Sequence, residues 1–98
     1  MVVAEFSVTP LVEGELKPFV DAAIDVIKQS GLKYEVGALG TTIEGELGDV
    51  LAVVRKAHLA VRSMGAGRIV TELKIDEKAG GETIEQELEG YRQYQPSV

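Results

Sequence analysis

The hydrophobic residues of this 98-residue chain change period along its length, and that succession constrains the fold more than any other feature. Val3-Ala4-Glu5-Phe6-Ser7-Val8-Thr9 alternates apolar and polar residues, and so does Thr41-Thr42-Ile43-Glu44-Gly45-Glu46. Strand side chains point to opposite faces in turn, so each segment reads as a strand with one buried face. Between them Leu16, Val20, Ala23 and Ile27 recur at helical spacing, flanked by Phe19 and Ile24. Lys17, Asp21, Asp25 and Lys28 lie largely opposite that stripe, which predicts an amphipathic helix over about 16–30. Pro18 suits its first turn and Gly31 its left-handed stop.

The remaining segments complete the pattern. Residues 33–38 alternate again, and Leu39-Gly40 is a hairpin-length link into a strand over 41–47. A second helix spans about 49–64, with Val50, Val54, Ala57, Val61 and Met64 as its stripe, broadened by Leu51 and Val53. Gly65-Ala66-Gly67 ends it. A fourth strand, 68–76, puts Ile69, Thr71, Leu73 and Ile75 on one face and Val70, Glu72 and Lys74 on the other. The composition of residues 83–91 predicts a short acidic helix.

The order β-α-β-β-α-β predicts an α+β, ferredoxin-like fold. Its antiparallel sheet of four strands has the order 4-1-3-2, both helices on one face through right-handed crossovers, and a short C-terminal helix. One domain is expected over 1–98, with a flexible tail over about 92–98. The helices cover Phe6, Val8, Ile43 and Leu73. The opposite, bare face carries Val3, Glu5, Ser7, Thr9, Thr42, Glu44, Val70, Glu72 and Lys74.

Composition excludes several chemistries. A formal net charge of −6 disfavours nucleic acid and anionic membranes, which attract basic surfaces. The absence of Cys removes disulfides, iron–sulfur clusters, thiol nucleophiles and Cys-rich zinc sites. It fits a cytoplasmic protein, as does an N-terminus without a signal-peptide pattern. No apolar run approaches the roughly 18–20 residues of a membrane span. The central-strand positions where RNA-recognition domains stack aromatics hold Glu, Ser and Thr. An acylphosphatase-like site would need an Asn, and the chain has none. His58 is the sole histidine and lies mid-helix, away from Ser7, so no catalytic triad can be assembled. No metal site, cofactor or enzymatic activity is expected.

The carboxylates and hydroxyls of the bare face are the candidate site. Glu5, Glu44 and Glu72 either form an acidic site for a cation or protonated amine, or are solvated or paired with Lys74 or a neighbouring subunit. Ser7, Thr9, Thr41 and Thr42 either hydrogen-bond a heterocycle or reflect the strand propensity of Thr. Gly40 and Gly45 either admit a ligand closely or serve as a turn and a bulge. His58 and Tyr34 read as packed residues, Arg68 as a surface ion-pair partner, and Tyr91 and Tyr94 as docking aromatics on another chain.

Several stretches carry a resemblance. They are Ala4-Glu5-Phe6-Ser7-Val8-Thr9-Pro10, Ser30-Gly31-Leu32-Lys33-Tyr34-Glu35, Gly40-Thr41-Thr42-Ile43-Glu44-Gly45-Glu46, Lys56-Ala57-His58 and Arg68-Ile69-Val70-Thr71 leading to Lys74-Ile75-Asp76. Together they resemble the small thiamine-binding protein family over about 2–89. The resemblance implies a ferredoxin-like domain that assembles through its sheets into homo-oligomers, dimers or tetramers. It implies binding of thiamine, or of its hydroxymethylpyrimidine part, without chemistry on it. Matching positions make Ser7, Thr41, Thr42 and Glu44 the ligand-binding candidates. On this reading Glu44 accepts from the exocyclic amine or faces the thiazolium, and Ser7 and Thr42 fix orientation. The alternative is a regulatory or structural oligomer whose sheet face serves assembly alone.

Overall fold

The computed structural model describes residues 1–81 and 83–89. In chain order it contains strand β1 (Val2–Pro10), helix α1 (Lys17–Gln29), strands β2 (Lys33–Val36) and β3 (Thr41–Gly45), helix α2 (Leu47–Ser63), strand β4 (Ile69–Asp76) and helix α3 (Ile84–Leu88). The strands pair antiparallel in the order β2-β3-β1-β4, which is the expected 4-1-3-2 read from the other edge. The fold is thus the α+β, ferredoxin-like arrangement that the periodicities predict.

Alternation in the strands decides what lies beneath the helices. Val2, Ala4 and Phe6 of β1 and Ile43 of β3 join Ala23 and Ile27 of α1 and Val50, Val53, Val54, Ala57 and Val61 of α2 in one buried cluster. Full burial of each large aliphatic side chain contributes about 1.5–3 kcal/mol. The register places Phe6 between Thr41 on β3 and Leu73 on β4, with Glu5 between Thr42 and Lys74 on the other face. Gly31, at φ +74°, and Gly65, at φ +95°, follow the two helices in the left-handed region.

Three features depart from the expectations. The helical stripe of α1 is buried only in its second half: Ala23 and Ile27 are covered, but Val20 remains 43% exposed and Leu16 is similarly open. The reason is the short β2–β3 hairpin. β2 stops at Val36 and the chain turns through 37–40, where the Gly37 N–H donates to the Gly40 carbonyl at 2.8 Å, so little sheet lies under the first turns of α1. Leu51 and Met64, assigned to the stripe of α2, are exposed as well.

The third departure is that the outer sheet face is not bare. Helix α3 folds back onto one end of it. Thr83 caps α3 through a capping box with Gln86, and Ile84 is buried against the sheet. The expected tail over about 92–98, and Tyr91 and Tyr94, lie outside the described residues.

Candidate functional site

The four ligand-binding candidates fall in three places. Ser7, Thr42 and Glu44 belong to the outer face, since Glu44 pairs with Val3, Thr42 with Glu5, and Ser7 with Glu72. Ser7 lies four positions beyond Val3 along β1, so it is separated from the Glu44 row by roughly 13 Å at ~3.3 Å per residue. Thr41 pairs with Phe6 and therefore faces the helices.

Glu44 is 9% exposed, and both its carboxylate oxygens are engaged. Oε2 accepts from the Ile84 N–H at 2.9 Å, and Oε1 is 4.0 Å from Lys33 Nζ. Lys33 also pairs with Glu85 of α3. The first residue of a helix has a backbone N–H with no partner inside that helix. Glu44 supplies one, and its negative charge suits the positive end of a helix. In this arrangement Glu44 fastens α3 to the sheet.

The rest of the outer face is an open trough. One part, of about 520 Å³, is lined by Glu5, Phe6, Ser7, Leu39, Glu72, Leu73 and Lys74. It continues under α3 into a part of about 270 Å³ whose walls include Glu5, Thr42, Lys74, Asp76, Ile84 and Leu88. Glu5 and Lys74 are opposite each other in the register and line both parts. Among the described residues no ion pair forms between Lys74 and a carboxylate, so the trough keeps three acids, Glu5, Glu72 and Asp76, beside one free ammonium.

A second cleft, of about 320 Å³, opens at the end of the sheet where α1 outruns the β2–β3 hairpin. Val20, Ile24, Val36 and Leu39 supply an aliphatic wall, and Thr41 lies at its base. Thr41 is 8% exposed, and its hydroxyl has no hydrogen-bond partner among the described residues. Buried hydroxyls are usually satisfied, so an orphan at the foot of an open cleft marks a place for a ligand atom or a water. Phe6, Ser7 and Leu39 line this cleft and the trough alike, which makes Ser7 the border between an aliphatic chamber and an acidic one. Leu39, at the hairpin turn, is 92% exposed.

The other singled-out residues have structural placements. A Cβ at Gly40 would come within 3.0 Å of the Phe6 carbonyl oxygen and 3.3 Å of Glu5 Cγ, so Gly40 lets the hairpin lie flat on β1 beside the Glu5 side chain. At Gly45 a Cβ would press on the Leu32 side chain at 3.1 Å. His58 Nδ1 shares a 2.6 Å hydrogen bond with Thr71 Oγ1, tying α2 to β4, and Tyr34 packs against the core. Arg68 is exposed, and no ion pair forms at it among the described residues. Among the described residues, no three His, Cys, Asp or Glu side chains converge as a metal-donor set, and no helix is long and apolar enough to cross a membrane.

The aliphatic wall is what sequence reasoning missed. Val20 and Ile24 carry the pattern of core residues, and only the truncation of the hairpin leaves them facing a cleft. The exposed Leu39 between two glycines was the available signal, since an apolar residue at a turn tip has no core to enter.

Known proteins share this architecture. A UPF0045 protein of Clostridium perfringens is 40% identical over 86 residues, covering 87% of this chain and 90% of the relative. The crystal structure of a hypothetical protein of Methanocaldococcus jannaschii matches with a TM-score of 0.86 at 40% identity, over 94% of this chain and 96% of that one. A Thermotoga maritima structure, described as that of a candidate thiamine biosynthesis/salvage protein, matches with a TM-score of 0.84 at 41% identity, over 93% and 98%. The family model described as thiamine-binding protein matches residues 4–92. The chain therefore belongs to the thiamine-binding protein family.

Proposed function

We propose that this protein is a non-enzymatic binding module for thiamine or its hydroxymethylpyrimidine part, folded as one domain and working in the cytoplasm as a homo-oligomer. Membership of the family supports the ligand class. The observation that carries the site is the partnerless, buried hydroxyl of Thr41 at the foot of the aliphatic cleft. Thiamine joins a flat aminopyrimidine to a thiazolium with a permanent positive charge. The two chambers meeting at Ser7 match these halves. The aliphatic cleft takes the pyrimidine, with Thr41 and Ser7 hydrogen-bonding its ring nitrogens or amine. The thiazolium then faces the trough, where Glu5 and Glu72 attract it and Thr42 lines the far side. Glu44 acts indirectly, by keeping α3 seated as the trough's end wall.

Isothermal titration with thiamine and with hydroxymethylpyrimidine tests this. Thr41→Val removes the hydroxyl at nearly constant shape. We expect it to weaken binding about tenfold, about 1.4 kcal/mol, the scale of one hydrogen bond, with the thermal midpoint held or raised because no intramolecular bond is lost. The absence of both binding heat and a thermal shift at millimolar ligand would overturn the proposal.

A second reading has one observation behind it. Leu39 and Val36 form an exposed apolar patch beside the hairpin, which suits contact with another subunit. In that case the protein is a regulatory or structural oligomer with no metabolite of its own. Native mass spectrometry of the purified protein separates the two, since a bound small molecule appears only under the first.

A further inference from the structure

We infer that the site selects the free, unphosphorylated form of its ligand and rejects the phosphate esters; this rests on the thiamine reading above. The aliphatic cleft is lined by fourteen residues, none of them charged. A ligand whose pyrimidine fills it must send its other end out past Ser7 and Leu39, into the trough. There the Glu5 side chain lies beside Gly40, its Cγ 3.3 Å from the place a Cβ would occupy, and Glu72 of β4 is paired with Ser7 in the register. Both flank the exit.

Among the described residues, Lys74 is the one cation that lines the trough or the cleft. Lys33 is held between Glu44 and Glu85, and Lys17 is bound to Asp21 at 2.7 Å on α1. Lys74 alone lines the trough, so the charged side chains at its wide part sum to about −1. The whole chain, these groups included, carries a net charge of −6. Free thiamine carries one positive charge and is drawn in. A phosphate monoester adds about −1.5 to −2 at neutral pH, which reverses the sign of the ligand. Like charges in a partly desolvated trough then repel, and among the described residues no arginine lines the trough to form the two-pronged contacts that usually hold a phosphate.

Titration calorimetry of the wild-type protein at low ionic strength, with thiamine, thiamine monophosphate, hydroxymethylpyrimidine and its phosphate, tests the inference. We expect each phosphate ester to bind at least about tenfold more weakly than its parent alcohol, with the ratio shrinking as salt screens the acids. In the Glu5→Gln/Glu72→Gln variant the ratio should fall to near one for the pyrimidine pair, which has no thiazolium to lose attraction. Circular dichroism confirms that the variant is folded, and Glu72→Gln alone provides a milder version. If thiamine binds and its monophosphate binds as tightly, with Lys74 or the amides of the 37–40 turn holding the phosphate, this inference fails and the ligand reading survives. If neither the alcohols nor the esters bind, the ligand reading itself fails and takes this inference with it.

Discussion

Glu44 and Thr41 are three residues apart in sequence and have opposite fates. Glu44 is buried with its hydrogen-bonding capacity used, and Thr41 is buried with its hydroxyl idle. The carboxylate is tolerable at 9% exposure because a backbone N–H and a lysine compensate its lost hydration. Glu44→Ala should therefore leave the Ile84 N–H without its partner and Lys33 with one fewer acid. A hydrogen bond to a charged group is worth about 1.5–3 kcal/mol, and the half-exposed ion pair adds at most about 1 kcal/mol. The loss should fall on the docking of α3. Hydrogen exchange should show faster amides at 84–88 in Glu44→Ala, with β1 and β3 unchanged. Glu44→Gln, which keeps an acceptor oxygen, should lie between the variant and wild type. Unaltered protection at Ile84 in Glu44→Ala would show that the sheet contacts of Ile84 and Leu88 alone hold α3 down.

At the scale of elements, the sequence made the fold readable because each element carries its own period. The alternation of β1 and β3 and the stripes of α1 and α2 specify type and facing without reference to distant residues. Gly31 and Gly65 mark where the helices stop. What stayed hidden depends on contacts between distant parts of the chain. Thr83-Ile84-Glu85-Gln86 announces a helix start, but nothing local says that its first N–H meets Glu44, forty residues earlier. The aliphatic cleft was hidden for a similar reason. Whether Val20 is core or wall depends on how far the β2–β3 hairpin reaches, and β2 is only four residues long. Of the candidates, Ser7, Thr42 and Glu44 were placed on the correct face by alternation alone, and Thr41 was grouped with them by motif although its side chain faces the other way. Local rules also expose a weak point. The N-cap residue of α2, Glu46, has extended backbone angles (φ −68°, ψ 146°) and makes no side-chain cap hydrogen bond. Among the described residues its carboxylate meets only the exposed N-terminal ammonium, at 3.5 Å. Asp is among the best N-caps, and one methylene fewer brings the carboxylate within reach of the N2 and N3 amides. Glu46→Asp should stabilise the protein by about 0.5–1 kcal/mol, read as a raised midpoint in urea at constant slope. A lowered midpoint would mean that the ion pair with Met1 outweighs the cap.

At the scale of the whole molecule, sixteen acidic residues against ten basic ones leave a surface that repels itself. Much of that excess sits where the fold needs it for another purpose. The trough concentrates Glu5, Glu72 and Asp76, and the clamp on α3 uses Glu44 and Glu85. Compacting the chain brings these acids closer together than they are when it is unfolded, so part of the stability of the core is offset by repulsion. Surface charges separated by more than about 8 Å are largely screened at physiological ionic strength. Raising sodium chloride from about 10 mM to about 300 mM should therefore move the urea midpoint upward at neutral pH. General salting-out of apolar surface would do the same, and pH separates the two causes. Near the isoelectric pH of about 4.7 the net charge vanishes, and the electrostatic part of the salt effect should vanish with it. A salt-induced rise of equal size at both pH values would assign it to apolar burial. A rise confined to neutral pH would show that the acidic surface, the trough included, is maintained at a cost to the stability of the folded chain.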